Sequence, residues 1–378
     1  MRNYTLFILA LASVFLLPSC RKDEYIFKSN KEQVAYPRPD SKTLGFYILN
    51  EGNMGMNRAS IDYFDYRTGY YSTDIYSELN PNAIKELGDV GNDLKIYGNK
   101  LYAVINASNK IEVMNKWTAQ RQKVITVPNC RYLAFHQDKA YVSSYSGPIG
   151  VDPNAEKGFV AEIDTTSLEL TRKVQVGYQP EEMVIVNNKL YVANSGGYRV
   201  PNYDTTVSVI DLDSFEEIRK IDVAINLHRM VLAPNGLIYV SSRGDYKGVR
   251  SDIFIIDPQK DEVVQSLGVG ASELCLSGEL LYYYNSEEDQ NTGSRDIKYG
   301  IIDTNTQQVI SNEIITDGTD KQIMLPYGLT INPETKEIYI TDAQNYIVTG
   351  FVYCFTPDGK LKWKTTAGNI PAHFAFLK

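Results

Sequence analysis

A short apolar run with a tyrosine near its start recurs along the chain. Its seven copies begin at Phe46, Leu101, Ala140, Leu190, Ile238, Leu281 and Ile338. The spacing between successive tyrosines ranges from 39 residues (102 to 141) to 57 residues (282 to 339). A period of about 40 to 50 residues with several short strands in each period is typical of a β-propeller.

Each copy lies in the second position of a unit of four predicted strands. An apolar run precedes it, as at 183–185, and a tight turn such as Asn187-Asn188-Lys189 separates the two. A third strand often ends in an acid, as at Asp211, and the fourth is more polar, as over 218–223. Inner strands that neighbouring blades cover become apolar, whereas an outer strand meets water. The pattern therefore predicts an all-β fold made of four-stranded blades.

The count of strands predicts how the ring closes. No first-strand run precedes Phe46, while an unmatched run of that type, 371–376, ends the chain. We therefore expect this C-terminal strand to complete the N-terminal blade of a seven-bladed β-propeller, which removes exposed strand edges. The propeller takes up residues 44–378 as one domain, at about 48 residues per blade. A sandwich or a β-helix is the alternative.

The first 43 residues lack this repeat. Arg2 precedes an apolar run over 6–17 that is too short for a membrane span, so residues 1–19 are predicted to be a signal peptide. Residues 17–20, Leu-Pro-Ser-Cys, resemble the bacterial lipobox, in which the cysteine, here Cys20, becomes the lipidated N-terminus. An ordinary secretory signal with an incidental cysteine is the alternative. Residues 20–43 are predicted to be a lipidated tether.

The tether begins with a short charged motif. Lys22, Asp23 and Glu24 resemble the surface-export signal of Bacteroidetes lipoproteins, which implies an outer-membrane protein that faces outward. A solvated charge cluster in a linker is the alternative. The net charge of −8 gives no indication of a nucleic-acid or anionic-membrane partner, so the lipid would be the only membrane contact.

Cysteines, histidines and motifs give no sign of catalysis. With Cys20 lipidated, three cysteines remain and cannot all pair, so we expect buried free thiols at Cys130, Cys275 and Cys354. There is no GxSxG, HExxH, P-loop or dinucleotide fingerprint, and the sequence contains only three histidines. We predict that the protein is not an enzyme and has no cofactor.

Loop lengths differ between the two ends of the predicted ring. Most loops from second to third strands are long, and they emerge on the same face as the connections between blades, which we name the long-loop face. Connections on the opposite face, the turn face, are mostly tight turns. Long loops on a rigid scaffold are where binding usually resides. These loops are rich in Tyr, Arg and Asn, which suit a large polar ligand, although many of the 28 tyrosines are also expected to pack between blades.

First strands line the axis of a propeller, so their starts should ring the mouth of its channel. Aligning the seven strands places these residues at one level: Asp93, Tyr132, Glu182, Arg229, Glu273, Gly328 and His373. The position before them holds Asn92, Arg131, Glu181, His228, Ser272, Tyr327 and Ala372. The acids could contribute oxygens to a Ca²⁺ site, but Arg131 and Arg229 at the same height argue against one, and no metal is predicted.

The repeats, with Leu-Tyr-Val-Ala-Asn-Ser at 190–195 and Val-Ser-Val-Ile-Asp at 207–211, are similar to the YncE/YVTN family of bacterial propellers over most of 44–378. Together with the lipobox, the export signal and the opening run at 46–53, they resemble BtuG-type surface lipoproteins of Bacteroidetes. The resemblance implies capture of a corrinoid, cobalamin (vitamin B12), outside the cell and its transfer to a TonB-dependent outer-membrane transporter. It supplies no ligand motif to carry over to this sequence.

The candidate ligand-binding residues follow from the mouth and the long loops. Near the axis we expect Arg131, Tyr132, Glu182, Arg229, Tyr327 and His373, and on the rim Tyr198, Arg199, Arg243 and Tyr246. Two other functions remain open. One is a cell-surface scaffold for protein interactions, because propellers often bind partners, and the other is a Ca²⁺-dependent hydrolase with an axial site.

Overall fold

The computed structural model describes residues 28–83, 86–288 and 295–378. Seven small antiparallel sheets make up a seven-bladed β-propeller, so the predicted fold class is confirmed. Among these residues, one short helix, α1 (Ile75–Leu79), and one 3₁₀ helix (Thr319–Gln322) interrupt the strands. The predicted signal peptide, the lipidation site Cys20 and the export motif at 22–24 lie outside the described residues and stay predictions.

The strands follow one another around the ring in chain order. Blade 1 contains β1 (Lys31–Gln33), β2 (Gly45–Asn50), β3 (Ser60–Asp65) and β4 (Tyr70–Ser72). Blade 2 contains β5 (Gly91–Tyr97), β6 (Lys100–Ile105), β7 (Lys110–Asn115) and β8 (Arg121–Thr126), and blade 3 contains β9 (Cys130–His136), β10 (Lys139–Ser144), β11 (Phe159–Asp164) and β12 (Leu170–Gln175). Blade 4 contains β13 (Pro180–Val186), β14 (Lys189–Asn194), β15 (Thr206–Asp211) and β16 (Glu216–Asp222), and blade 5 contains β17 (Leu227–Leu232), β18 (Ile238–Ser242), β19 (Asp252–Asp257) and β20 (Glu262–Ser266). Blade 6 contains β21 (Glu273–Ser277), β22 (Leu280–Glu288), β23 (Arg295–Asp303) and β24 (Gln308–Ser311), and blade 7 contains β25 (Pro326–Ile331), β26 (Ile338–Asp342), β27 (Thr349–Phe355) and β28 (Leu361–Asn369).

The last strand, β29 (Pro371–Leu377), closes the ring as predicted. It pairs antiparallel with β2, from Gly45 opposite Leu377 to Asn50 opposite Pro371, and so becomes the innermost strand of blade 1. Phe46 packs against the rings of Phe374 and Phe376, with ring centroids 5.6 and 5.8 Å apart. The two ends of the domain are therefore joined by a backbone ladder and by aromatic packing.

Part of the segment predicted as a tether belongs to blade 1. Strand β1 pairs with the outer edge of β4, with Lys31 opposite Ser72 and Gln33 opposite Tyr70. Thr365 of blade 7 donates a hydrogen bond of 2.7 Å to the carboxylate of Glu32. All three residues of β1 are exposed, so no apolar pattern marks this strand in the sequence. Its order comes from the backbone edge that β4 offers.

Packing between blades explains why the tyrosine of the repeat recurs. The hydroxyl of Tyr47 donates to the carbonyl of Lys116 in blade 2 at 2.8 Å, and that of Tyr239 donates to the carbonyl of Thr304 in blade 6 at 3.2 Å. Each ring is buried and ends at the turn between the third and fourth strands of the next blade. The residue supplies apolar area and one directed hydrogen bond to the neighbouring blade.

Burial falls from the inner to the outer strands, as predicted. In blade 3 the second strand, β10, is buried almost throughout, whereas the outer strand, β12, is almost entirely exposed. The apolar clusters lie between neighbouring blades and not within single sheets. Cys130 and Cys354 are buried in these layers, Cys275 is half-buried, and all three are unpaired, so the prediction of free thiols is confirmed.

Candidate functional site

The mouth of the channel on the long-loop face brings together residues from several blades. In each blade the start of the first strand lies beside the end of the second, because the two strands are antiparallel. In blade 3, for example, Arg131 lies at the start of β9 and Tyr145 directly follows β10. Side chains from different blades then meet in the mouth. They form two networks, each made of ion pairs and hydrogen bonds.

Glu181 is the centre of the first network. Its carboxylate accepts hydrogen bonds from Arg131 at 3.1 Å and from the hydroxyl of Tyr145 at 2.5 Å, and Arg243 lies 3.4 Å away. The Arg131 guanidinium also lies over the ring of Tyr145, 4.7 Å from its centroid. The Glu181 side chain is only 1% exposed, so these cations replace water as its partners.

Arg229 is the centre of the second network. It reaches the carboxylate of Glu182 at 2.9 Å and that of Glu273 at 2.8 Å, and it donates to the hydroxyl of Tyr132 at 3.2 Å. The same hydroxyl lies 3.0 Å from Nε2 of His228. Four blades, blades 3 to 6, are joined in this way, and each bond crosses a blade boundary.

Protonation follows from burial and from these partners. Burial would raise the pKa of Glu181, but Arg131 and Arg243 lower it below its ordinary value, so the carboxylate is charged. Burial and then the neighbouring arginines, Arg243 first, lower the pKa of His228, which leaves this imidazole neutral. Burial, with a smaller contribution from Glu182, raises the pKa of Glu273 to about 7 although Arg229 opposes the shift.

Tyr327 and His373 meet at a third point, around Glu51. The Tyr327 hydroxyl donates to the Glu51 carboxylate at 2.9 Å, and Nε2 of His373 lies 3.2 Å from its other oxygen. The ring of Tyr346, in the loop after β26, lies edge-on to that of Tyr327 at 5.9 Å. These two predicted residues therefore belong to the side of the mouth formed by blades 1 and 7.

In the structure, most of the predicted axial residues lie together, and one residue that was predicted on the rim lies in the mouth. Arg131, Tyr132, Glu182 and Arg229 are all members of the two networks. Arg243, predicted on the rim, lies beside Glu181 in the mouth, with its side chain 25% exposed.

The other three predicted rim residues lie in loops. Arg199 lies over the ring of Tyr178 at 3.5 Å, Tyr198 lies edge-on to Tyr145 at 6.1 Å, and Tyr246 is 55% exposed.

Four residues that organise the mouth were not among the candidates: Glu181, Glu273, Tyr145 and Glu51. The alignment of the first strands names Glu181 and Glu273, but neither was chosen as a candidate ligand-binding residue. Tyr145 and Glu51 directly follow second strands, and only the antiparallel neighbour relation predicts that they reach the mouth.

The rim around the mouth is apolar. Of the 20 large apolar side chains that are exposed among the described residues, 11 lie in connections of the long-loop face. They are Met54, Met56, Val151, Tyr198, Val200, Tyr246, Val249, Met324, Tyr346, Ile347 and Val348. Most of the others are spread over outer strands and turns. Large exposed apolar groups that gather at one end of a molecule mark an interaction surface.

The part of the chain that the structure describes offers few ligands for a metal ion. Within residues 28–83, 86–288 and 295–378, no group of three or more His, Cys, Asp or Glu side chains converges as metal ligands do. Over the same residues no helix is long and apolar enough to cross a membrane. What the mouth presents is a set of oriented hydrogen-bonding groups whose charges are largely compensated by one another.

The sequence profile of the family described as "Domain of unknown function (DUF5074)" matches residues 44–367. The chain belongs to the DUF5074 family. The match covers the propeller from just before β2 to within β28, and it stops before the closing strand β29. A search of curated proteins finds no match to this DUF5074 chain.

Solved structures that resemble this DUF5074 protein are distant in sequence. A quinonprotein alcohol dehydrogenase-like protein from Bacteroides thetaiotaomicron VPI-5482 is 14% identical, with a TM-score of 0.59 over 88% of this chain and 78% of that one. Hydrazine synthase from Kuenenia stuttgartiensis is 16% identical, with a TM-score of 0.55 over 70% and 76%. The computationally designed protein Ika8 is 12% identical, with a TM-score of 0.52 over 92% and 90%. At these identities the likeness concerns the fold alone.

Proposed function

We propose that this DUF5074 protein is a binding protein without catalytic activity, which captures a corrinoid such as cobalamin on its long-loop face. The observation that carries the proposal is the apolar rim around a charge-compensated mouth. A ligand on this face would contact exposed apolar side chains from several blades and oriented polar groups beneath them. Affinity would be spread over many contacts, with a few central ones dominating.

A corrinoid has the chemistry that this surface would recognise. It is large, its ring has apolar faces, and amide groups fringe its edge. Tyr198, Tyr246 and Tyr346 offer flat apolar area and hydroxyls, which suit the ring and its amides. Arg131 and Arg243 share Glu181, whereas Arg229 has two carboxyl partners, so three arginines face three carboxyl groups and the mouth does not demand an anionic ligand. The resemblance of the sequence to BtuG-type lipoproteins supports the same ligand.

The proposal includes a location and a partner. With a lipid on Cys20 and the export motif at 22–24, the protein would be anchored to the outer membrane and face the extracellular side. A TonB-dependent outer-membrane transporter would receive the captured corrinoid. The location rests on the resemblance of residues 17–24 to lipoprotein signals, and the partner rests on the resemblance of the whole chain to BtuG-type lipoproteins.

Calorimetric titration of the purified protein with cyanocobalamin tests the proposal. We expect saturable heat from the wild type, weaker binding by Tyr198→Ala/Tyr246→Ala, and no change on addition of EDTA. Trp117→Ala is the matched control, because this exposed aromatic residue lies on the turn face between β7 and β8. Absence of heat and of co-elution at micromolar protein would exclude the corrinoid.

A protein-interaction scaffold is the second candidate. The apolar rim extends over blades 1, 3, 4, 5 and 7, a width that a protein partner could also cover. If the protein is such a scaffold, calorimetric titration with cyanocobalamin gives no binding heat. Substitutions on the rim then change no measurement of small-molecule binding. Binding that disappears with EDTA would instead favour the Ca²⁺-dependent hydrolase.

A further inference from the structure

Blade 6 has an outer strand that is too short for its neighbour. Strand β24 has 4 residues, whereas β23 has 9. The two strands pair only from Ile301 to Asp303. Among the residues that the structure describes, nothing pairs with the outer backbone edge of β23 over 295–300. At about 3.3 Å per residue, this leaves roughly 20 Å of strand edge without a ladder.

The chain that should continue the outer strand packs elsewhere. After Ser311 it inserts between blades 6 and 7, where Ile315 joins the apolar core and Thr316 donates from its backbone to Gly359 at 2.9 Å. A pocket of about 770 Å³ remains beside β23. Ile297, Lys298 and Tyr299 line it from the strand, and Asn312, Glu313 and Lys321 line it from the displaced segment. The pocket therefore occupies the place of a missing strand.

One side chain in this pocket points to a ligand independently of the backbone. Tyr299 is only 8% exposed, yet its hydroxyl has no hydrogen-bond partner among the described residues. A buried hydroxyl without a partner destabilises the folded state. Burial, followed by Asp320 and Asp342, raises the pKa of Tyr299, so the group stays protonated and can donate. A peptide carbonyl placed in the slot would accept this hydrogen bond.

Blade 1 shows how such an edge is used within the same molecule. Its outer strand, β4, has only 3 residues, and the chain adds β1 to the edge of that strand by backbone pairing. The three residues of β1 are polar and exposed, so the ladder itself and not apolar burial holds them. Strand addition to a short outer strand is therefore already part of this architecture.

We propose that the free edge of β23 binds an extended segment of a partner polypeptide, which adds to blade 6 as a strand. Backbone hydrogen bonds to 295–300 would supply the affinity, and side chains would set the preference. Ile297 and Tyr299 lie on one side of β23, and Lys298, which already pairs with Asp296 at 2.8 Å, lies on the other, so the favoured segment carries apolar residues beside the first two. None of the candidate corrinoid-binding residues lines this pocket, so the proposal does not depend on corrinoid binding.

Selection of short linear peptides displayed on phage tests the proposal, with wild type and Asn312→Trp as parallel targets. Asn312 is exposed and lines the pocket, so a tryptophan there fills the slot without touching the core. Asn305→Trp is the matched control, because it changes the same residue type in an exposed turn of the same blade. We expect peptides that bind wild type and Asn305→Trp and lose at least tenfold in affinity for Asn312→Trp. Equal recovery from all three targets would overturn the proposal.

Backbone methylation separates strand addition from ordinary pocket binding. Only alternate amides of an added strand face β23, so N-methyl groups in one register should abolish binding and those in the other should leave it intact. Hydrogen exchange should slow at amides within 295–300, and Tyr299→Phe should weaken binding about threefold to tenfold. Peptides that tolerate both registers, or that bind without slowing this exchange, would show that no strand is added. Titration with cyanocobalamin should be unchanged in Asn312→Trp, which keeps this result separate from that of the corrinoid.

Discussion

The mouth of the channel and the rim around it lie on the same face, yet they are built in opposite ways. In the mouth, charged side chains such as Glu181 and Arg229 are buried and each has partners from other blades. On the rim, apolar side chains such as Tyr246 and Ile347 are exposed and extend from loops. In the mouth, charged groups are shielded from solvent, whereas on the rim, apolar groups are exposed to it.

This inversion separates two tasks. Buried charges that satisfy one another stabilise the arrangement of blades and keep the floor of the site rigid, because removal of one leaves its partner uncompensated. Exposed apolar groups contribute little to folding and are available to a ligand. Substitutions in the mouth should therefore act mainly on stability, and substitutions on the rim should act mainly on binding.

The largest effect is expected from Glu181→Ala. It leaves Arg131 and Arg243 without their shared carboxylate in a buried site, and loss of one partner of a buried ion pair costs about 3 to 5 kcal/mol of unfolding free energy. Chemical denaturation would measure it. The control is Glu169→Ala, whose pair with Lys123 is exposed and should contribute less than about 1 kcal/mol. Similar losses in the two variants would contradict the distinction between mouth and surface.

The pH dependence of stability should reveal Glu273. Because its pKa in the folded protein is about 7, above the ordinary value of 4.5, the native state holds this proton between about pH 4.5 and 7 and the unfolded chain does not. This group's contribution to stability therefore falls as the pH rises through that window. Glu273→Gln removes the titration, so its stability relative to wild type should rise by about 1 to 3 kcal/mol between pH 5 and pH 8. A constant difference from urea denaturation across this range would contradict the assignment.

On the rim, Tyr246→Ala should change binding without changing folding. The side chain is 55% exposed, so the unfolding free energy should stay within about 0.5 kcal/mol of wild type. Its affinity for cyanocobalamin should fall by about 1 to 2 kcal/mol, as for an aromatic residue at an interface. Calorimetry and thermal unfolding of the same samples test both halves. A loss of stability equal to the loss of affinity would place this tyrosine with the mouth.

The smallest effect is expected from Tyr132→Phe. The hydroxyl lies between Arg229 at 3.2 Å and His228 at 3.0 Å, so its removal deletes hydrogen bonds but leaves the ring and both ion pairs of Arg229. We expect a loss of about 0.5 to 1.5 kcal/mol in unfolding free energy. Tyr283→Phe would serve as a tyrosine control in blade 6, outside the mouth. If Tyr132→Phe were as damaging as Glu181→Ala, the hydroxyl and not the charges would organise the mouth.

The fold was predictable because its signal repeats. Tyrosines at the same position of the repeat, such as Tyr47, Tyr191 and Tyr239, bond to a turn of the next blade, so the period appears directly in the sequence. The closing strand was predictable because the copy number left 371–376 without a partner. Aligning the first strands also placed Tyr132, Glu182 and Arg229 at one height, and they do meet.

The contacts that could not be predicted are those between residues of different blades or of distant segments. Glu181 draws its partners from blades 3 and 5, at positions 131, 145 and 243, and no local pattern connects them. Arg243 follows a second strand, as Tyr145 does, so loop position alone suggested the rim. Strand β1 is polar and short, and its pairing depends on an edge formed 37 to 41 residues later in the sequence.

The pairing of β1 also sets the side from which the chain enters the propeller. Lys31 lies opposite Ser72, and β4 ends at Ser72 on its way to the long-loop face, so the chain enters the propeller from that side. Lys28 is eight positions after Cys20, so the two can be at most about 28 Å apart. With the lipid proposed at Cys20, the blade 1 side of the ligand face would stay close to the membrane, and the turn face would point into the medium. An epitope inserted in the turn at Asn305 should then be open to antibodies on intact cells, whereas one inserted beside Asn57 should be shielded.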